Sequence, residues 1–283
     1  MCLFWCLPVF IFMKRDLDIE NRIVNDYVLG INNKELCEKY CKSRAYIQIV
    51  LIRHGIVLRR GCEVTKKYNL NENYFEHIDS SDKAYILGLL FSDGTISRTI
   101  AAINLMESDG HILYDIAKKI YVDNKYQIQY LKAVEKKWKN GVTYKTKPQL
   151  KLTLTRKKIV EDLKKFGLCE KKSFKIRFPQ INQRYYRDFI RGYFDGDGCF
   201  YSSEKYPKNN RVQIVSNTKF IYDLKEIIEN SLNIKTIITD TKVNNISRLY
   251  IYGNAKTKIF LDWIYNGAEL KLNRKYLHYI NKY

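Results

Sequence analysis

Two aspartates close two similar nine-residue stretches, and the chemistry open to them is what the chain can be organised around. One stretch is Ile86-Leu87-Gly88-Leu89-Leu90-Phe91-Ser92-Asp93-Gly94; the other, 104 residues later, is Ile190-Arg191-Gly192-Tyr193-Phe194-Asp195-Gly196-Asp197-Gly198. Asp93 matches Asp197. Each stretch continues a helix-like run and ends on a glycine suited to the left-handed position after a helix. Each shared acid therefore falls in a last helical turn, where the partial negative charge of the carbonyl end disfavours it by roughly a few tenths of a kcal/mol or more. A positive group is the natural complement. Gly88 with Ser92, and Gly192 with Gly196, put small residues at i and i+4 on one helix face, although a mid-helix glycine costs about 1 kcal/mol against alanine. The same cost in both copies argues for two helices packed face to face at close range. That packing would set Asp93 beside Asp197 and make a site for hard divalent cations.

The paired stretches resemble the double signature of single-chain LAGLIDADG homing endonucleases, over roughly residues 75–283. Two copies at a domain-sized interval, each ending in Asp-Gly, carry the resemblance. The plainer readings of Phe194-Asp195-Gly196-Asp197-Gly198 are a structural turn or a calcium loop. An EF-hand needs glycine at its sixth position and glutamate at its twelfth, where this chain has Phe200 and Tyr206. The resemblance implies that Asp93 and Asp197 bridge Mg2+ or another divalent ion such as Mn2+, one ion serving each DNA strand. It also implies that the carbonyls just before the acids, those of Ser92 and Gly196, touch metal, and that a basic residue on a nearby strand polarises the water network. Lys151 is the candidate for that role. Phe91 stands where the second copy has Asp195, and Arg191 replaces an alanine, so Asp195 reads as a structural or DNA-facing acid rather than a catalytic one.

Around the motifs the pattern is α+β. Tyr114-Asp115-Ile116 is echoed by Tyr222-Asp223-Leu224, and Lys158-Ile159 with Asp162 by Lys258-Ile259 with Asp262. Each half, 80–180 and 181–283, reads as motif helix, two strands, helix, two strands, helix. Strand candidates are 95–106, 126–134 and 144–155 in the first half, and 199–205, 211–215, 234–241 and 249–252 in the second. The resemblance implies two pseudo-symmetric αββαββα halves whose antiparallel sheets form a saddle over the major groove of double-stranded DNA, on a long asymmetric target and in a monomer. Arg211, Lys235, Lys242 and Arg248 are then candidates for DNA contact, as is Lys151.

Charge supports a polyanionic partner. The formal net charge is +20, of which residues 80–283 carry +18 (38 Lys and Arg against 20 Asp and Glu), with 23 tyrosines in the chain. A low-GC genome, which enriches Lys, Asn, Ile and Tyr, is the alternative source of that composition. Seven cysteines form no CxxC pair and no zinc-type spacing with histidine, so a reduced intracellular thiol set is the default.

Residues 13–61 read as three short helices, joined to the halves by a linker at 62–79. Ser43 would cap the third helix, and the arrangement resembles the helix-turn-helix of resolvase-like DNA binders. Arg44 and Gln48 would face the major groove, with Lys42, Arg53, Arg59 and Arg60 on phosphates. The plainer reading is a three-helix bundle with solvated charges. Residues 1–12 are an apolar leader too short to span a bilayer, read as a mis-called start with Met13 as the true first residue; a small membrane anchor is the alternative.

The function these observations favour is a site-specific, metal-dependent double-strand DNA endonuclease, acting in cytoplasm, nucleus or organelle wherever its target DNA resides. The alternatives are a non-catalytic DNA-binding regulator of the same fold and an RNA maturase that binds intron RNA. An intein is disfavoured because none of His54, His77, His111 and His278 is followed by asparagine.

Overall fold

The computed structural model describes residues 16–29, 31, 33–58, 68–138, 141–170, 172, 175–202 and 209–283. The apolar leader, Met13, Arg59 and Arg60 lie outside the described residues. The chain divides into two compact units, residues 1–67 and 68–283.

The first unit is three helices: α1 (Leu17–Val28), α2 (Asn33–Tyr40) and α3 (Arg44–Arg53). Asp16 caps α1 through its side chain, and Ser43 caps α3 by accepting from Tyr46 N at 3.2 Å. The three helices bury Ile23, Tyr27, Leu36, Ile47, Val50 and Leu51 as their own core.

The second unit begins earlier than a linker at 62–79 would allow, because Leu70, Tyr74, Phe75 and Ile78 are already part of its core. Its first half runs α4 (Ser81–Ser92), β1 (Gly94–Ile96), β2 (Ile100–Met106), α5 (His111–Ile120), β3 (Ile128–Leu131), β4 (Glu135–Lys137), β5 (Thr143–Lys145), β6 (Gln149–Thr155) and α6 (Lys157–Lys165). The second half runs α7 (Tyr186–Asp197), β7 (Gly198–Tyr201), β8 (Arg211–Asn217), α8 (Thr218–Leu232), β9 (Ile237–Asp240), β10 (Ile246–Tyr252), α9 (Asn254–Tyr265) and α10 (Asn273–Ile280).

Two antiparallel four-stranded sheets result, in the orders β1-β2-β6-β3 and β7-β8-β10-β9, which are equivalent orders in the two halves. Alternation dictates their faces. In β10, Ser247, Leu249 and Ile251 are buried while Arg248 and Tyr252 are exposed, and in β8 Val212 and Ile214 face the core. Helices α8 and α9 pack on the core face of the second sheet, as α5 and α6 do on the first. The strand expected over 144–155 is two strands: Thr143–Lys145 pairs with β4, and the sheet strand begins only after Pro148.

Between the two sheets lies the α4–α7 pair. Gly88 and Gly192 are what let these helices meet. A Cβ on Gly88 would stand 2.1 Å from Phe189 O, and one on Gly192 would stand 2.0 Å from Tyr85 O, so each glycine sits against the backbone of the other helix.

Candidate active site

At the C-terminal ends of α4 and α7 the two shared acids come together. Asp93 is the residue that caps α4, and Asp197 is the last residue of α7. A Cβ on Gly196 would meet Ser92 Oγ at 2.0 Å and Asp93 Oδ2 at 2.6 Å, so the Asp93 carboxylate lies directly against the facing helix one residue before Asp197. The closing glycines are not left-handed, contrary to the reading from sequence. Gly198 is extended (φ −81, ψ 156), and Gly94 is not among the positive-φ glycines. Space is what they supply, since a Cβ would stand 2.4 Å from Leu90 O at Gly94 and 2.0 Å from the Phe194 ring at Gly198.

The positive complement to these helix ends is a pair of half-buried lysines. Lys172 Nζ donates to Leu90 O at 2.8 Å and to Ser92 O; Lys275 Nζ donates to Phe194 O at 2.6 Å, Gly196 O at 3.2 Å and Gly198 O. Each lysine adds a donor at the carbonyl end of its helix, where Leu90 O and Phe194 O already accept from the backbone N–H of Asp93 and Gly198, and each puts a cation against the negative end of the helix dipole. The carbonyls of Ser92 and Gly196, expected to face metal, therefore also accept from these ammonium groups.

Burial pushes the Asp93 carboxyl up to about 6, helped by the Asp197 charge and opposed by Lys172 and Lys275. Asp197 is raised by burial against the pull of the two lysines and the Tyr193 hydroxyl. Burial lowers both lysines to about 8, while Asp93 and Asp197 favour the charged form of Lys172, and Asp195 and Asp93 that of Lys275. Two acids with raised pKa values and two cations with depressed ones thus occupy one site. A cleft of about 150 Å³ opens beside it, lined by Ser92, Lys172, Tyr193, Asp197 and Ser216 among others, with room for roughly five waters. A larger groove of about 710 Å³ runs along α8 past Asp223 and Glu226 and does not reach these acids.

Lys151, the sequence candidate for the basic role, stands elsewhere. It sits on β6 opposite Asn104 and Gln129, out of phase with the buried Leu152 and Leu154, and it is not among the charges that act most on Asp93 or Asp197. Lys172 and Lys275 were missed, although each trails its acid by nearly the same interval, a repeat that sequence inspection could have found.

Asp195 is buried, which fits the structural one of its two readings. Its Oδ2 accepts from Tyr85 OH and from Leu272 N, both at 2.8 Å, and its Oδ1 from Tyr265 OH at 2.6 Å. Arg191, also buried, donates to Asp188 Oδ1 (2.7 Å) and to the carbonyls of Ile264 and Leu270 (both 2.9 Å). Together they fasten the segment that delivers Lys275. Arg274, next to it, pairs with Asp109 of the first half at 3.0 Å.

Two carboxylates at adjoining helix ends fit a hard divalent cation by donor type, and burial with mutual repulsion gives them reason to take one. Among the described residues no group of three or more His, Cys, Asp and Glu could hold a metal, so the remaining ligands would be carbonyls, water or substrate oxygens.

Of the DNA-contact candidates, Arg211 and Arg248 lie on the open face of the second sheet, with the Arg211 guanidinium over the Tyr201 ring at 4.8 Å, and Lys235 and Lys242 are exposed in the loops flanking β9. In the first unit Arg44 is exposed and Gln48 half-buried, and Lys42 lies 5.3 Å from the Tyr46 ring centroid. Arg53 donates from Nη1 to the fully buried Glu20 at 2.7 Å while its side chain stays exposed.

Residues 184–265 match the LAGLIDADG-like domain family. The homing endonuclease I-WcaI bound to its DNA recognition sequence shares the fold, with a TM-score of 0.52 at 14% identity over 79% of this chain and 96% of that one. Meganuclease I-SmaMI bound to uncleavable DNA aligns at a TM-score of 0.44 with 13% identity (70% and 88% covered), and full-length DUF199/WhiA from Thermatoga maritima at 0.43 with 14% identity (76% and 66% covered). No curated protein matches the chain. The LAGLIDADG fold accounts for the mixed architecture with antiparallel sheets, and the motif helices that meet through Gly88 and Gly192 are its centre.

Proposed function

We propose that this chain is a site-specific double-strand DNA endonuclease that uses a divalent cation, Mg2+ or a substitute such as Mn2+. The observation that carries the reading is the convergence of Asp93 and Asp197 at paired helix ends with one half-buried lysine for each end. Asp93 and Asp197 would hold the cation, which would supply an activated water and neutralise the charge on the leaving 3′ oxygen. Lys172 and Lys275 hold positive charge beside the scissile phosphates.

The open faces of the two sheets are the DNA surface in this reading. Arg211 and Arg248 contact the duplex from β8 and β10, Lys151 from β6, and Lys235 and Lys242 reach phosphates from the β9 loops. The first unit is a second DNA contact, with Arg44 and Gln48 directed at the major groove from α3 and Lys42 at a phosphate. The protein acts as a monomer on a long asymmetric site, in whichever compartment holds that DNA. No helix among the described residues is long and apolar enough to cross a membrane.

The test is cutting of a randomised duplex library in Mg2+, with the ends sequenced. One recovered site whose cutting disappears on chelation supports the proposal. Tight, sequence-selective duplex binding without cutting would make the chain a DNA-binding regulator, and selective binding of intron RNA would make it a maturase.

A further inference from the structure

The two halves differ at the tip of their second strand pair. In the second half β9 and β10 are joined by residues 241–245, which carry one charge, Lys242. In the first half the chain leaves the sheet at Leu131, returns at Gln149, and forms the separate ribbon β4–β5 between, with Glu135 opposite Lys145, Lys136 opposite Tyr144 and Lys137 opposite Thr143. The ribbon is closed by Trp138 N donating to Val142 O at 2.8 Å. At its root the Thr146 backbone N donates to Val134 O and the Val134 backbone N donates to Thr146 Oγ1, both at 2.9 Å.

All six residues of β4 and β5 are exposed. An isolated two-stranded ribbon is marginal in water, and this one also displays large apolar groups: Trp138 is 59% exposed and Val142 57%. Trp138 lies 5.0 Å from Tyr144, and by alternation Lys136 shares their face. The lysines of the arm greatly outnumber its single acid, Glu135. Cations interleaved with solvent-facing aromatics suit a polyanion with stacked, partly apolar surfaces, and the major groove of duplex DNA admits a two-stranded ribbon.

We propose that the β4–β5 arm lies on duplex DNA beyond the stretch covered by the sheet β1-β2-β6-β3, so that the bound site extends farther on the first-half side than on the second. The proposal rests on duplex DNA being the partner. From Leu131 to Trp138 the arm spans about 20 Å, or roughly six base pairs.

The test uses the full chain, a charge variant carrying Lys136→Glu and Lys145→Glu, and a variant in which residues 132–148 are replaced by the sequence of residues 241–245, each checked for native circular dichroism. Binding to a long random-sequence DNA duplex is titrated against salt, and tryptophan emission is followed alongside, with Trp138→Phe to isolate the arm. The expected result is retained binding with a log Kd against log salt slope shallower by ~2–4 in both arm variants, and a DNA-induced emission change that Trp138→Phe abolishes. Duplex binding by the full chain with an unchanged slope in the variants and silent Trp138 emission would overturn the arm while leaving the endonuclease reading intact. A slope change seen with random-sequence RNA and not with duplex DNA would also overturn it. Absence of any duplex binding by the full chain would overturn both.

Discussion

Lys172 and Lys275 occupy equivalent places in the two halves: each ammonium enters the C-terminal carbonyls of its own half's motif helix, Leu90 and Ser92 in one, Phe194, Gly196 and Gly198 in the other. The equivalence stops at their hydrogen bonds, because Lys275 uses all three of its protons on these carbonyls and Lys172 uses two. Replacing either lysine by methionine keeps the length and removes the charge, so cutting is expected to slow by roughly 10²–10⁴-fold. Because each lysine serves one helix end, a supercoiled plasmid bearing the target should accumulate as nicked circle in either single variant. Equal slowing of both strands, with no nicked species, would count against two separate half-sites.

The carboxylate pair should separate catalysis from stability. Asp93→Asn and Asp197→Asn are each expected to lower cleavage by orders of magnitude while duplex binding persists. Asp93→Asn should also raise the melting temperature of the metal-free protein by roughly 2–5 °C, because it removes a half-buried charge that Asp197 repels, and Asp197→Asn, at an exposed position, should change it less. Near-normal cutting by these variants in magnesium would reduce the chain to a DNA-binding module.

The pH dependence follows from the same pair. Asp93 titrates at about 6 in the fold and near 3.8 in the unfolded chain. Between those values the native state keeps a proton that the unfolded state has lost, so the contribution of Asp93 to stability is fully present below 3.8 and is lost as pH rises through 6. The decline is on the order of 2–3 kcal/mol. A divalent cation binds the ionised form, so its stabilising effect should be small at pH 5 and large at pH 7.5. Calorimetric scans with and without Mg2+ across that range check the sign, and a cation effect that shrinks as pH rises would refute it.

The helix contact gives a purely structural prediction. Gly88→Ala and Gly192→Ala each place a methyl about 2 Å from a carbonyl oxygen of the opposing backbone, which cannot rotate away, so each should cost about 3 kcal/mol or more in denaturant unfolding. Gly167→Ala is the control. Its φ of +96 is strained for alanine, but nothing lies within 4 Å, and about 1–2 kcal/mol is expected.

How much of this was readable before the fold was known depends on distance along the chain. The motif helices, their close approach and the strands β8 and β10 follow from local periodicity and from glycines repeated on one helix face, which are short-range signals. The basic residues were misplaced at Lys151 because strand alternation says which face a residue takes and not which distant helix end it meets. Lys172 and Lys275 reach their carbonyls only because the chain returns after a whole half-domain. Most of β5 falls inside the strand expected over 144–155 and β4 between the expected strands, since the lysines mask any alternation, and Pro148 is the break. Gly94 and Gly198 were given a conformational reason when the true one is steric, and a steric reason is visible only once Leu90 and the Phe194 ring are in place.

Asp195 carries the remaining prediction, because its three donors come from parts of the chain that no local pattern connects. Tyr85, Tyr265 and Leu272 converge on two carboxylate oxygens, and Leu272 stands three residues before Lys275. Asparagine can accept on one oxygen only, so Asp195→Asn should lower stability by roughly 1–3 kcal/mol, and Asp195→Ala, which leaves all three donors unanswered, should cost more. The metal pair is untouched, so cation-induced stabilisation should match that of the unaltered protein. Cutting should slow mainly on the strand served by Lys275. If Asp195→Asn instead abolished the cation effect as Asp197→Asn is expected to, Asp195 would itself be a metal ligand and the assignment of the shared pair would fail.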